Sequence, residues 1–469
     1  MGALCTLFLL SSKGHAGAIF ATDRGVRPMG RAGAFVAGAD DGQSVWMNPA
    51  GLSDAGSTLS IDAAVVMAPI TYTRQSETRD ADGVRRTGEF PAVTGSTAFV
   101  PIPSIVYTKV LSSKWTGALS LVIPYGPPRT FPATVNGQPA PQRYAEISAE
   151  GSALVILGGH ASYKCSESFR IGAGLQVMVG TIKDKTVLQA SLPDRLIAAP
   201  EAPDFDAAVS FSMGPIVSPS ANAGAIWVPS DHFRFGASVQ GPFYMYAPAT
   251  ISSVLPSSAV MRGGYQSGES ATVSTWLPPS VRAGLEYRTV ASGTGLRVEG
   301  TWVREFGSVF ATTTVTPNNI TINNLPVLPS PLPVPPVTVR NNTLDTDSFR
   351  LGAEYTHVAE AEGGTGTWQL RGGAQYNTRG VENKHTSVRI YGPEHVLVTL
   401  GVGYQVSRKI TLDLMYAKAL SYSLVVAPGE AAVAAETILG GNPTMREAHN
   451  GGKYEASLDV LGLGLRYAL

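Results

Sequence analysis

The sequence predicts an all-β fold, specifically a transmembrane antiparallel β-barrel of about 14 strands. Three observations favour it. Apolar and polar residues alternate with a period of two, short and long connections alternate along the chain, and no apolar run reaches the roughly 18 residues of a spanning helix. Lipid offers backbone groups no partners, so a chain that crosses a membrane without helices must do so as a closed barrel.

The period-two alternation is clearest in the segments 169–177, 396–406 and 410–417. In 396–406, for example, every even position is apolar, and the odd positions are mostly small or polar. Such a strand has one apolar and one polar face. It fits either a sandwich that faces water or a barrel that faces lipid.

The spacing of the strands distinguishes these two folds. Short turns such as 111–113 and 407–408 alternate with long loops such as 126–146 and 310–345, which is typical of outer-membrane barrels. An even number of strands also places both chain ends at the periplasmic rim. The segments predicted as strands are 58–70, 97–110, 114–125, 147–165, 168–182, 212–228, 232–246, 272–289, 294–309, 346–358, 366–379, 395–407, 409–421 and 453–469.

The first 16 residues resemble a signal peptide, with a short apolar core and small residues before Gly17. The basic n-region is missing, which indicates a truncated signal. Once this segment is removed with Cys5, Cys165 is the one cysteine left, so we expect no internal disulfide. No Cys/His cluster has zinc spacing, so we expect neither metal nor cofactor. Zero net charge and the lack of a basic tract give no sign of a nucleic-acid partner.

The faces opposite the apolar ones carry many charges, which an unpaired soluble core could not hold. Arg282, Arg297, Arg350 and Arg371 alternate with apolar residues in their strands, and several glutamates do the same. We expect most of these charges to form structural ion pairs across a barrel lumen. The alternative is that one or two of the four arginines bind the carboxylate of a ligand.

Residues 17–56 lack strand periodicity and are rich in Gly and Ala. They contain Gly30-Arg31-Ala32, then Asp40-Asp41, then Asn48-Pro49-Ala50-Gly51-Leu52. This ordered set resembles the hatch of the FadL/TodX family of outer-membrane transporters. Later segments resemble the strands of that family, including 277–287, 350–355 and 370–376.

The resemblance implies that residues 17–56 form an N-terminal hatch, or plug, inside a barrel of residues 57–469 with long extracellular loops. It also implies capture of substrate at the loops after strands five and seven. The apolar residues expected there are Leu192, Leu196, Phe205, Phe243, Tyr246 and Leu255. Release is expected sideways, through a gap beside strand three. Pro124 and Gly126 are expected to mark this lateral gate, because proline cannot donate a ladder hydrogen bond, and the alternative is that strand three simply ends near Ile123.

Three classes of function are left open. The first is outer-membrane transport of hydrophobic compounds, with long-chain fatty acids expected first and aromatic hydrocarbons as the alternative on the same fold. The second is a general porin or structural barrel, against which the hatch argues. The third is an enzyme, which we do not expect because no histidine lies in a recognisable Ser/His signature.

The expected partners are the hydrophobic substrate and outer-membrane lipid, and the chain is expected to be a monomer. The proline-rich loop 310–345 resembles an extended surface arm, and its sequence indicates no function.

Overall fold

In the computed structural model the chain forms one closed antiparallel barrel around its own N-terminal segment. The structure describes residues 24–79, 85–123, 128–189, 203–256, 262–289, 293–326, 329–358, 366–434 and 448–469. The predicted signal peptide, residues 1–16, lies outside these ranges. The described part of the chain includes no helix long and apolar enough to cross a membrane.

Fourteen barrel strands are found in the described residues, and several of them continue after a short break. In chain order they are β1 Thr58–Met67 continued by Ile70–Arg79, β2 Val93–Thr97 continued by Ile102–Val110, β3 Trp115–Val122 continued by Arg129–Thr130, β4 Ala153–Lys164, β5 Phe169–Gln189, β6 Asp206–Ser230, β7 Phe233–Gln240 continued by Phe243–Val254, β8 Ser270–Leu277 continued by Ser280–Arg288, β9 Gly295–Glu305 continued by Thr312–Pro317, β10 Val337–Arg340 continued by Thr346–His357, β11 Trp368–Asn377, β12 His395–Gln405, β13 Ile410–Val426 and β14 Gly452–Ala468.

The barrel closes because the first strand pairs with the last. Thr58 lies opposite Ala468 and Met67 opposite Asp459, in one continuous antiparallel register. The 14-strand prediction is confirmed, and both ends of the barrel chain lie at the rim that carries the short turns. That rim is the periplasmic one. Strands β5 and β6 are longer than predicted and stay paired as far as Gln189 and Asp206, so they project beyond the extracellular side of the membrane.

The outer face is apolar, as the alternation predicts. Leu175 and Leu400 are 78% and 68% exposed, and such side chains form the band that faces lipid. Close to the periplasmic turns, aromatic rings pack in cross-strand pairs such as Trp227 with Phe235, whose centroids are 5.3 Å apart. Amphipathic rings at this depth form the interfacial girdle of a membrane barrel.

Residues 24–57 lie inside the barrel, and we call this segment the hatch. It contains two short helices, α1 Val26–Met29 and α2 Ser44–Met47, and the 3₁₀-helix Pro49–Asp54. Nearly all of its side chains are buried, including Phe35, Met47 and Leu52. Its many Gly and Ala residues let its backbone run close to the barrel wall.

The extracellular loops add small elements above the barrel. The short strands are Arg85–Glu89, Thr134–Val135, Gln138–Pro139, Tyr265–Ser267, Thr321–Asn323 and Leu332–Pro333, and the 3₁₀-helices are Pro203–Phe205, Gly307–Phe310 and Asn383–His385. A separate sheet is formed by three of these strands, Tyr265–Ser267, Thr321–Asn323 and Leu332–Pro333. It joins the β7–β8 loop to the β9–β10 loop.

Candidate functional site

The periplasmic level of the lumen is a network of buried ion pairs between wall and hatch. Glu354 on β10 binds Arg27 of the hatch with both oxygens, at 2.9 and 2.8 Å, and accepts a further bond from Arg371 at 2.7 Å. Arg27 also reaches Asp40 at 2.6 Å. Buried charges are tolerated only when they are paired and hydrogen-bonded, and here each has several partners.

A second carboxylate of this network binds the backbone of the hatch as well as the side chains of Thr301 and Arg31. Glu299 on β9 accepts hydrogen bonds from the successive N–H groups of Val36, Ala37 and Gly38, at 2.6, 2.9 and 2.8 Å. Charge-assisted bonds of this kind are about twice as strong as neutral ones. Glu299 therefore fixes the turn of the hatch that crosses the centre of the lumen.

The four arginines singled out in the sequence all lie in this level, and each contacts the hatch or its anchors. Arg297 bonds Asp40 at 2.7 Å and the Gly38 carbonyl at 2.7 Å, and Arg371 bonds Asp413 at 2.6 Å. Arg350 donates to the Gly33 carbonyl at 3.3 Å, and Arg282 lies over the Trp46 ring at 5.7 Å. Their observed contacts are structural, and a role in binding a ligand carboxylate stays a prediction.

The Asn48-Pro49-Ala50 motif begins the 3₁₀-helix of the hatch. The Asn48 side chain accepts from the Ala50 N–H at 3.2 Å and donates to the Val36 and Ala225 carbonyls at 2.9 and 3.1 Å. It thus caps the helix and also fastens it to β6. The predicted turn is present, and its asparagine has a tertiary partner that the motif alone does not reveal.

Glycines on the wall allow the hatch to approach this closely. A Cβ at Gly236 would lie 2.4 Å from the Val36 carbonyl oxygen, and one at Gly352 would lie 2.3 Å from the Arg31 carbonyl oxygen. Any side chain at these points would push the hatch away. Part of the high glycine content of the strands is thereby explained by hatch packing.

The level above the hatch has the opposite character. A continuous apolar cluster joins Trp46 and Met47 on top of the hatch to inward side chains of β3 to β9. These wall residues include Val122, Ile156, Met178, Met213, Ile216, Phe243, Met245, Val273 and Leu277. A lumen lined in this way suits a hydrophobic molecule, because polar groups that would hold water are replaced by aliphatic ones.

Among the described residues, the ladders of β2, β3 and β4 stop beside this apolar level. The β2–β3 ladder stops at Ser104 opposite Val122 and resumes at Thr97 opposite Arg129. The described β3–β4 ladder stops at Val122 opposite Ile156, and further along the chain the described residues Thr130 and Ser148 form an isolated bridge. Ile123, at the edge of the break, accepts a hydrogen bond from the Arg24 side chain of the hatch. The predicted gate residues Pro124 and Gly126 lie outside the described residues.

The predicted capture residues separate into three places. Phe205 and Leu255 pack in one apolar cluster above the barrel, together with Leu188 and Ala207. Phe243 is buried within the lumen cluster, and Tyr246 is 64% exposed on the outer face of β7. Leu192 and Leu196 lie outside the described residues.

Sequence reasoning missed a group of residues at the extracellular end of the lumen. Arg74 on β1 is 1% exposed, and its guanidinium lies 5.0 Å from the Phe90 ring and 6.0 Å from the Tyr144 ring. Burial, together with the positive charge of Arg74, lowers the pKa of the neighbouring His449 to about 3, so this ring is neutral at physiological pH. The arginine falls in a polar stretch of the β1 sequence, so no pattern pointed to it.

These features define a class of protein, a plugged outer-membrane barrel whose interior is apolar above the plug. The family model "Outer membrane protein transport protein (OMPP1/FadL/TodX)" matches residues 7–294, more than half of the chain. The chain therefore belongs to the OMPP1/FadL/TodX family. The family prediction is confirmed, and so are the outer-membrane location and the expectation that the chain is not an enzyme.

Solved structures support the fold over the whole length. A FadL homologue from Pseudomonas aeruginosa superposes with a TM-score of 0.70 at 15% identity, covering 97% of this chain and 99% of that one. The toluene transporter TodX of P. putida gives 0.60 at 15% identity, covering 94% and 98%. The toluene transporter TbuX of Ralstonia pickettii gives 0.58 at 14%, covering 96% and 99%. No curated protein matches the chain in sequence.

The family and the geometry agree on the general function. The protein transports hydrophobic compounds across the outer membrane, and its substrates are hydrophobic small molecules. Among the described residues no group of His, Cys, Asp and Glu side chains could hold a metal ion. The wall, the hatch and the apolar level of the lumen are the parts from which a mechanism has to be built.

Proposed function

We propose that the protein takes up long-chain fatty acids, capturing them at the extracellular loops and releasing them sideways into the membrane beside β3. The carrying observation is that, among the described residues, the β2–β3 and β3–β4 ladders stop where the apolar level of the lumen reaches the wall. Val122, Leu154 and Ile156 belong to the apolar cluster and lie at the edge of the break. A hydrophobic molecule can leave there without entering water, whereas the hatch and its ion pairs fill the periplasmic level below.

The choice of fatty acid over hydrocarbon rests on Arg74. The Arg74 guanidinium lies beside the Phe90 and Tyr144 rings at the extracellular end of the lumen, and a guanidinium binds a carboxylate well through charge-assisted hydrogen bonds. Arg74 lies next to the apolar cluster of Ile70, Tyr72 and Tyr454, so an alkyl chain and its head group could be held side by side. A monoaromatic hydrocarbon has no charged group to pair with this guanidinium and would gain only a weaker cation–π contact, so hydrocarbon uptake is the second candidate.

The substrate can be tested by competition. Purified protein in detergent is titrated with a fluorescent long-chain fatty acid, and oleate or toluene is added as competitor. We expect oleate to displace the probe, Arg74→Gln to weaken oleate about tenfold or more through the lost charge-assisted bond, and Arg408→Gln, in the turn at the opposite rim, to change nothing. Displacement by toluene alone would move the assignment to hydrocarbon uptake, and no saturable binding at all would favour a porin or structural barrel.

The lateral gate is tested separately from binding. Pro124→Val restores an N–H that could extend β3 toward Arg129, and Gly126→Val stiffens the same stretch. We expect either change to keep fatty-acid binding and slow its uptake by cells. Unchanged uptake in a variant whose barrel is intact would contradict release beside β3.

Two further points belong to the proposal. The boundaries of a leader at residues 1–16, a hatch at 17–56 and a barrel at 57–469 follow the family pattern. The chain is proposed to act as a monomer surrounded by outer-membrane lipid, because one chain closes the barrel and holds the whole route.

A further inference from the structure

The proline-rich loop between β9 and β10 packs against the capture residues. Its outer part, residues 318–336, is called the arm here, with 318–326 and 329–336 described. Ile322 and Leu325 of the arm are 1% and 7% exposed, although they lie in an extracellular loop. They are buried in one cluster with Ala207, Phe205 and Leu188, and this cluster also includes Leu255, Leu332 and Val334.

The arm is held in two physically different ways. The hydrogen bonds of its described residues run within the arm, to the β7–β8 loop or to the start of β8. Gln266 lies opposite Ile322 in the short sheet, Asn324 donates to the Gly263 carbonyl at 2.7 Å, and the Val334 N–H donates to Ile320 at 3.0 Å. Toward Leu188, Phe205 and Ala207, by contrast, the arm presents apolar side chains.

An apolar contact can be exchanged for an alkyl chain at little cost, whereas a hydrogen-bonded anchor cannot. A hydrophobic molecule that enters between Phe205 and the arm replaces protein–protein contacts of the same chemical kind. The anchors on the β7–β8 loop meanwhile keep the arm in place. The capture site thus has an adjustable wall on one side and the β5–β6 hairpin on the other.

We propose that the arm forms a wall of the capture site, beside the β5–β6 hairpin and the β7–β8 loop. In this proposal Ile322 and Leu325 set the size of the hydrophobic molecule accepted there. This inference rests on the proposed function, since it deepens the capture step. Ile322 and Leu325 pack in one cluster with Phe205 and Leu255, two of the residues that the sequence singled out for capture. An incoming alkyl chain must therefore fit into the space that the side chains of Ile322 and Leu325 leave free.

The test enlarges and shrinks the site with paired substitutions. Leu325→Ala and Ile322→Ala remove volume, and Leu325→Trp adds it, while Thr338→Ala, exposed at the start of β10 just after the arm, is the control. Apparent affinities for a series of saturated fatty acids of increasing length are measured by competition with a fluorescent fatty acid. A photoactivatable fatty acid is then cross-linked, and the labelled peptides are identified by mass spectrometry.

We expect the Ala variants to shift the preferred length upward and Leu325→Trp to shift it downward, by about fourfold in relative affinity for each methylene gained or lost. Cross-links are expected in both the arm and the peptide that contains Phe205. Shifts in opposite directions cannot come from a merely destabilised arm, which would weaken all lengths alike. An unchanged length profile with normal fatty-acid binding would overturn the role of the arm and leave the proposed function standing. Loss of all fatty-acid binding by the unmodified protein would overturn both.

Discussion

The two levels of the barrel lumen use the same strands for opposite purposes. At the periplasmic level the inward residues are charged and bind the hatch, as Glu299 and Glu354 do. At the extracellular level the inward residues of β3 to β9 are aliphatic or thioether side chains, such as Met213 and Val273. The comparison teaches that the charges of the periplasmic level anchor the hatch, whereas the level above the hatch offers a largely apolar surface.

The difference follows from what each level of the lumen must exclude or admit. Water and solutes are kept out below by a hatch whose backbone is held by carboxylates and arginines, each with several partners. A hydrophobic substrate is admitted above by removing polar groups that would hold water in its place. Substitutions that alter one level of the lumen and spare the other test this difference between the two levels.

The largest effect is expected from Glu354→Ala in the charged level. This change leaves Arg27, Arg297 and Arg371 without a shared carboxylate, and breaking a buried pair of this kind costs about 3–5 kcal/mol. The free energy of unfolding in lipid vesicles, measured by urea denaturation, should fall by that amount. The control is Asp347→Ala, whose partner Arg304 is far more exposed and which should cost about 1 kcal/mol or less. Equal losses in the two variants would contradict an anchoring role of the network.

A smaller loss is expected from Gly236→Ala. Its methyl group would meet the Val36 carbonyl at 2.4 Å, so the hatch must shift, at about 1–3 kcal/mol for overpacking. Limited proteolysis of the hatch in detergent should then become faster. Gly300→Ala, on β9 with nothing within 4 Å of the added carbon, should behave like the unmodified protein.

In the apolar level we expect a change of function with a smaller change of stability. Val273→Thr keeps the side-chain shape and introduces a hydroxyl, which costs about 1–3 kcal/mol where it finds no partner. Uptake of a long-chain fatty acid by cells should slow several-fold. Val239→Thr, on the outer face of β7 where the side chain is half exposed, is the isosteric control and should leave uptake unchanged. Similar uptake in the two variants would mean that substrate does not cross this level.

The smallest effect is expected from salt. The ion pairs of the hatch are buried, and buried pairs are screened far less than exposed ones. Raising the salt from low to near-molar concentration should change the free energy of unfolding by about 0.5 kcal/mol or less. A loss of several times this size would show that water and ions reach the charged level.

Much of the barrel could be predicted from sequence because its signal is local. The period-two alternation in 396–406 and 410–417 comes from neighbouring side chains pointing to opposite faces, and both segments are strands in the structure, within β12 and β13. The hatch motif at Asn48 was similarly readable. Strands β5 and β6 were predicted too short, because their extracellular ends are paired above the membrane, where no lipid-facing alternation is required.

The candidate site could be predicted only in part. The sequence indicated that Arg297 and Arg371 face a lumen, since they alternate with lipid-facing residues, but it could not assign their partners. It also placed Phe243 and Tyr246 with Phe205, whereas the structure turns one into the lumen and the other to the outside. Arg74 and the arm were not assigned to any site, because their neighbours come from other strands and loops.

By itself, therefore, the sequence determined the barrel, the approximate strand count, the plug and the family, all of which depend on residues close together in the chain. The pairing of the charges, the points at which the described ladders stop and the residues that pack against the arm depend on the tertiary structure. The physical reason is distance along the chain. Arg27 and Glu354 are 327 residues apart, and such contacts form only when barrel closure brings the two segments together.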